Sequence, residues 1–233
     1  GQPPMLKLAL ILGLLAAFGP LSIDMYLPAF PAIGADLKAD AAAVQATLAL
    51  FFMGIAGGQL VYGPLADRFG RRRPLLAGCL LYAAGSIGCA LATDVDQLIA
   101  FRLVQALGGC AGMVMSRAVI RDLFDERHSA VMLARLMLVM GAAPILAPLI
   151  GGQLLEIAGW RAIFWLLSGV GVLALVVVAL FLPESLPAER RRRQGPGEIA
   201  LTYLRFAIDR RFIAPALASG AAMGAMFAYI SGS

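Results

Sequence analysis

The chain reads as an all-α bundle of membrane-spanning helices, and three observations lead there. Hydrophobic residues make up 61% of the 233 and charged residues only 14%, with a mean hydropathy of +0.84. Seven apolar runs, at residues 8–30, 41–62, 74–92, 98–120, 129–155, 162–182 and 212–230, are near or above the ~20 residues a helix needs to cross a bilayer. All are too long for the strands of a membrane barrel and lack their alternation. Basic residues are also sorted. Lys7, Arg68, Arg71, Arg72, Arg73, Arg117, Arg121, Arg127, Arg135, the arginines at 190–193, Arg205, Arg210 and Arg211 lie in or beside alternate connections. The others hold only Lys38 and Arg161, beside Asp36, Asp40, Asp94, Asp96 and Glu156. The positive-inside rule then places the N-terminus, the 63–73 turn, the 121–128 loop and the 183–211 segment in the cytoplasm.

The first run contains one acid, Asp24, within Gly19-Pro20-Leu21-Ser22-Ile23-Asp24-Met25-Tyr26-Leu27-Pro28. A lone carboxylate in lipid is costly, so it must face a cavity or a partner, or be protonated. The competing reading puts Asp24 at the outer interface, since Pro28 and Pro31 follow closely. In the second run Gly54 and Gly58 are four apart, and small residues so spaced let helices approach. The second and third runs are joined by the charged turn Gly63-Pro64-Leu65-Ala66-Asp67-Arg68-Phe69-Gly70-Arg71-Arg72-Arg73. The fourth run carries Arg102 and Gln105, three apart and so on one helix face. Arg102 cannot deprotonate itself, but it can lower the pKa of a nearby acid. The rival reading has it snorkelling to the outer interface near Asp94 and Asp96. Gly108, Gly112 and Ser116 follow at steps of four and predict close packing. The fifth run holds Pro144 and Pro148, which predict a bend, then Gly151 and Gly152, which predict a close crossing.

After the sixth run comes a linker rich in proline, glycine and arginine, from Pro183 to Gly197. Residues 198–211 mix apolar and charged side chains as an amphipathic surface helix does. Residues 1–186 therefore form one six-helix bundle, 187–211 a cytoplasmic linker, and 212–233 the start of a second bundle. The first run reads as a retained helix rather than a cleavable signal, and a chain starting at Gly1 has a processed or missing start.

Composition also excludes function classes. The net charge of +5 is a topology signal rather than a nucleic-acid footprint. Cys79, Cys89 and Cys110 are odd in number, lie inside apolar runs and match no metal spacing, so they read as packing residues. No metal or cofactor is expected. His128 is the only histidine and lies in a charged loop, so no nucleophile–base pair or paired metal ligands reach bilayer depth, and an enzyme is not expected. Of the aromatic residues Tyr26, Phe51, Phe52, Phe101, Phe164 and Trp165, most are expected to face lipid or pack rather than line a cavity.

The turn Gly63-x-Leu65-Ala66-Asp67-Arg68-x-Gly70-Arg71-Arg72 resembles the signature between helices two and three of the major facilitator superfamily of secondary transporters. The stretch 98–105 resembles its helix-four motif, with Ala106 where a glycine is usual. Ala147-Pro148-x-x-Gly151-Gly152 resembles the helix-five motif of exporters, with Ala147 in place of the first glycine. The block Ser22-Ile23-Asp24-Met25-Tyr26-Leu27-Pro28-Ala29-Phe30-Pro31 resembles the first helix of the Bcr/CflA group of drug:proton antiporters. The resemblance implies an N-terminal six-helix half built of inverted repeats, truncated after the start of helix seven. It implies proton coupling at Asp24 and Arg102, a substrate cavity with Asp24, Tyr26 and Gln105, and a gate of Gly63, Asp67, Arg68, Gly70, Arg71 and Arg72. It also implies an antiporter motif of Pro144, Pro148, Gly151 and Gly152. The partners it implies are protons, a small hydrophobic drug or metabolite, the lipid of a bacterial inner membrane and the missing C-terminal half. An exporter of an amino acid or other metabolite is the alternative within the class, and a fragment without transport of its own is the alternative outside it.

Overall fold

In a computed structural model the described residues are 5–191 and scattered positions between 195 and 225. The amphipathic segment 198–211 and the seventh run fall largely outside the described residues. By contacts the chain divides into two units, Gly1–Arg191 and Arg192–Ser233. The account below concerns the first.

Helices α1 (Met5–Ala16), α2 (Phe18–Asp24) and α3 (Phe30–Asp36) follow the first apolar run, with a short 3-10 turn at Leu27–Ala29. Then come α4 (Ala41–Phe69), α5 (Arg72–Leu91), α6 (Val95–Leu123), α7 (Glu126–Ala158) and α8 (Trp160–Phe181). Among the described residues, α4 to α8 are each long and apolar enough to cross a membrane. The first run makes a sixth span that is bent by 40°.

That bend corrects the expected continuous helix over 8–30, and prolines explain it. Each proline lacks an N–H and its ring crowds the carbonyl four residues earlier. Pro20 acts on Ala16, where α1 ends, and Pro28 on Asp24, where α2 ends. The expected 63–73 turn also shrinks. Helix α4 runs through Gly63, Pro64, Asp67 and Arg68, and only Gly70 and Arg71 separate it from α5. The chain turns at Gly70, whose φ of +89° disfavours any side chain. The fifth run is longer than expected, and α7 passes through Pro144 and Pro148 as one helix. His128 accordingly lies in its first turn rather than in a loop.

Helix starts are capped by acids that the charge pattern placed in loops. Asp40, Asp94 and Asp125 accept the backbone N–H of Ala43, Gln97 and His128 at 2.7, 2.8 and 2.8 Å. Helix α6 lies at the centre and touches its neighbours through small residues. A Cβ on Gly108 would meet the Tyr82 N–H and stand 2.6 Å from the Gly78 carbonyl of α5. One on Gly54 would lie 2.7 Å from Ala106, and one on Gly58 2.9 Å from Cys110. One on Gly112 would lie 2.6 Å from the Leu15 carbonyl of α1. Ser116, the next in that series, donates to the Leu12 carbonyl at 3.2 Å. Helix α7 is different: Met137, Leu138, Ile145, Leu149 and Ile157 leave an apolar face open to the outside.

Candidate functional site

The six spans bring two groups of polar residues together, one inside the bundle and one at its arginine-rich end. The inner group centres on Arg102. It lies about 10 Å in from the start of α6 and has no exposed surface, which rules out snorkelling. Its Nη1 donates to the Ser22 carbonyl at 3.0 Å and to Gln105 Oε1 at 2.7 Å. Its guanidinium carbon lies 4.1 Å from the Phe51 ring centre, 4.4 Å from that of Tyr26 and 5.8 Å from that of Phe164. Aromatic faces attract a desolvated cation by up to about 2 kcal/mol each. Three of the six aromatic residues expected mostly to face lipid or pack thus surround a buried charge.

Tyr26 and Gln105 are also without exposed surface. Tyr26 pairs its hydroxyl with Thr47 Oγ1 at 2.6 Å, and Gln105 Nε2 donates to Ser86 Oγ at 2.8 Å. Both therefore sit in packed interhelical contacts. Asp24, the last residue of α2, is half-buried and makes no hydrogen bond or ion pair among the described residues. Arg102 is not paired with a carboxylate in this structure. Its hydrogen-bond partners are a carbonyl and an amide, and Nε and Nη2 have none. The break after Asp24 ends the helix before the acid can be aimed by a further turn. A carbonyl of α2, that of Ser22, occupies the arginine instead.

At the other group, Arg71 is bonded twice, Nε to Asp122 Oδ2 at 2.8 Å and Nη1 to Asp67 Oδ1 at 2.9 Å. Burial opposes its charge, but the bonds to Asp122 and Asp67 outweigh that and raise its pKa. Glu184, just past α8, accepts the N–H of Arg71 at 2.7 Å and of Arg72 at 3.3 Å, so it caps α5 from outside that helix. Arg72 Nη2 reaches the Ala179 carbonyl at 2.5 Å, and Ser185 Oγ reaches Asp122 Oδ2 at 3.2 Å. A Cβ on Gly70 would run into the Glu184 carboxylate. Gly63 lies within α4, and Arg68, over the Phe69 ring at 5.3 Å, makes no hydrogen bond or ion pair among the described residues. At the opposite end Asp36 accepts from Trp160 Nε1 at 3.1 Å and from Arg161, while Arg161 Nη2 donates to the Ala92 carbonyl at 2.9 Å. These bonds join α3 to α5 and α8.

The helix-five residues divide. A Cβ on Gly151 would strike the backbone of Met25, whose carbonyl carbon would lie 2.9 Å away. One on Gly152 would meet nothing within 4 Å among the described residues, which corrects the expected close contact there. The two glycines are adjacent, so they point about 100° apart on the helix and only one can face the crossing. Sequence reasoning missed Ser22, Tyr82, Ser86, Asp122 and Glu184. Polar residues inside apolar runs were the available signal for the first three.

Residues 12–232 match the model of a family described as the Major Facilitator Superfamily. The chain is 43% identical over 229 residues to an uncharacterized MFS-type transporter, YdgK, of Bacillus subtilis, covering 97% of this chain and 57% of that protein. It is 35% identical over 222 residues to the bicyclomycin resistance protein homolog of Haemophilus influenzae, covering 95% and 56%. It is 32% identical over 192 residues to the multidrug resistance protein MdtL of Escherichia coli, covering 82% and 49%. The chain thus spans about half the length of the curated relatives it matches. The structure of the human organic anion transporter MFSD10 superposes with a TM-score of 0.70 at 19% identity, covering 88% of this chain and 56% of that one, which supports the fold. A bundle of apolar spans around a buried arginine, a charged α4–α5 turn and a family match over nearly the whole sequence agree: this chain is a multi-pass membrane protein and belongs to the Major Facilitator Superfamily.

Proposed function

We propose that the intact protein exports small hydrophobic compounds across a bacterial inner membrane in exchange for protons, with its N-terminus and central linker in the cytoplasm. The observation that carries the reading is Asp24. It is a half-buried carboxylate at a break in the first span, unpaired among the described residues and two residues from the carbonyl that Arg102 binds. An acid at bilayer depth is costly unless it serves an ion or substrate path. Relatives named for bicyclomycin and multidrug resistance support a drug as cargo. The Ala147-Pro148-x-x-Gly151-Gly152 stretch supports outward transport. In the intact transporter Asp24→Asn should abolish proton-driven efflux with insertion unchanged, and Asp24→Glu should keep part of it. Drug-dependent proton movement of wild-type size in the Asn variant would reject the assignment.

A metabolite exporter is the second reading, and one observation favours it. The Nε and Nη2 edge of Arg102 suits a carboxylate on a small anionic substrate. Competition by simple carboxylates, lost in Arg102→Ala, would select this reading over hydrophobic drugs.

A further inference from the structure

Arg102 is held through a relay that starts on a different helix. Ser86 Oγ donates its proton to the Tyr82 carbonyl at 2.7 Å, four residues back along α5. Its remaining lone pairs therefore face outward, and one accepts from Gln105 Nε2 at 2.8 Å. With the NH2 group of Gln105 turned to Ser86, its oxygen must turn to Arg102, which it meets at 2.7 Å. The Ser22 carbonyl takes the second proton of the same Nη1. Ser22 is fixed in turn, because its hydroxyl pairs with Tyr82 OH at 2.7 Å and the Tyr82 ring stacks on Phe18 at 4.0 Å. The relay thus begins and ends on Tyr82. All five polar residues, Ser22, Tyr82, Ser86, Arg102 and Gln105, have no exposed surface.

The consequence lies on the opposite edge of the guanidinium. With Nη1 saturated, the Nε and Nη2 edge of the rigid fork is left over, and both atoms are buried without a partner. A buried donor left unpaired is unfavourable, so this edge is set to receive an acceptor. We propose that Ser86 is a positioning residue for Arg102: by fixing the Gln105 amide it commits Nη1 and leaves the Nε–Nη2 edge free for a carboxylate, either that of Asp24 or one on a substrate. The inference rests on the proposed proton-coupled transport. The titratable groups that face Arg102 are Tyr26 from the first span and Tyr82 and Cys89 from α5, all neutral near pH 7 at their ordinary values, with Asp24 the nearest acid along α2. Among the described residues, α4 and α8 present to it the rings of Phe51 and Phe164.

The test is the pH profile of transport in the intact protein, measured for Ser86→Ala, Ser86→Thr, Arg102→Lys and Asp24→Asn. Without the hydroxyl, the Gln105 amide can rotate and the guanidinium can swing. Ser86→Ala should therefore move the pH midpoint in the same direction as Arg102→Lys and by less, while Ser86→Thr stays at the wild-type midpoint. A second comparison covers poor folding of Ser86→Ala. In a Gln105→Met background there is no amide to turn, so adding Ser86→Ala should leave the midpoint of Gln105→Met where it was, a coupling that a double-mutant cycle measures. A profile for Ser86→Ala that superimposes on wild type, with only the amount of protein reduced, overturns the positioning role. So does an equal shift by Ser86→Ala in both backgrounds. If Arg102→Lys and Asp24→Asn also leave the profile unchanged, proton coupling at this site fails and the positioning role falls with it.

Discussion

At the scale of single residues, charge in an apolar run was legible in the sequence, but its partners were not. Arg102 and Asp24 stand out in any reading of the chain, because either is costly in lipid. That they do not pair depends on where α2 stops, and on a carbonyl, which every residue has and no sequence pattern marks. A simpler case lies at the end opposite the arginines. Hydrogen bonds from Arg161, then from Trp160, hold the Asp36 carboxyl below its ordinary range. A group with a lowered folded pKa adds stability at pH above its unfolded value of about 4, and that contribution is lost as pH falls through the folded value. Trp160 emission should therefore be flat from pH 8 to 5 and change only in more acid solution. Asp36→Asn should remove that acid step. A step of unchanged size in the Asn variant would show that another carboxylate is being reported. The pair is half-exposed, so its effect on overall stability should be small.

At the scale of elements, the periodicity of small residues in α6 was readable and the structure uses it, with Gly108 against α5 and Gly112 against α1. The pair at 151–152 was less so, because adjacent residues on a helix face different ways and the sequence does not say which faces a neighbour. A direct contrast follows. Gly151→Val would press a branched side chain into the Met25 backbone, where overpacking costs on the order of 1–3 kcal/mol. It should lower the melting temperature of the purified protein and disturb transport by the intact one. Gly152→Val has open space and should stay near wild type in both. Equal effects at the two positions would mean that α7 does not cross the first span as described.

At the scale of the whole molecule, the arginine-rich end is tied by residues from α4, α5, α6 and the chain after α8. Arg71 is shared between Asp67, which is 42% exposed, and Asp122, which is 19% exposed. The more exposed partner is worth about 1 kcal/mol or less. Asp67→Asn should thus open the arginine-rich end only slightly in the intact transporter, and Asp122→Asn, at the carboxylate that also accepts from Ser185, should open it more. Glu184→Ala should add to either, because the N–H groups of Arg71 and Arg72 lose their cap, a loss of about 1 kcal/mol. Labelling of single cysteines from each membrane side reads the order. A larger effect from Asp67 than from Asp122 would contradict this arrangement.

The sequence by itself determined that the chain crosses a membrane as helices, because 20-residue apolar runs have no other stable form in lipid, where each backbone polar group must be bonded internally. It also determined where the charged turn lies, since Asp67 to Arg73 could not be placed at bilayer depth. Tertiary structure alone decided the rest. Only one glycine of the 151–152 pair meets a neighbour, and Glu184 caps a helix that begins 112 residues before it. The physical reason is range. Hydropathy and proline act within a few residues and are written locally, whereas the setting of Arg102 depends on three helices meeting at Ser22, Ser86 and Gln105, and a packed contact between distant segments leaves no local pattern.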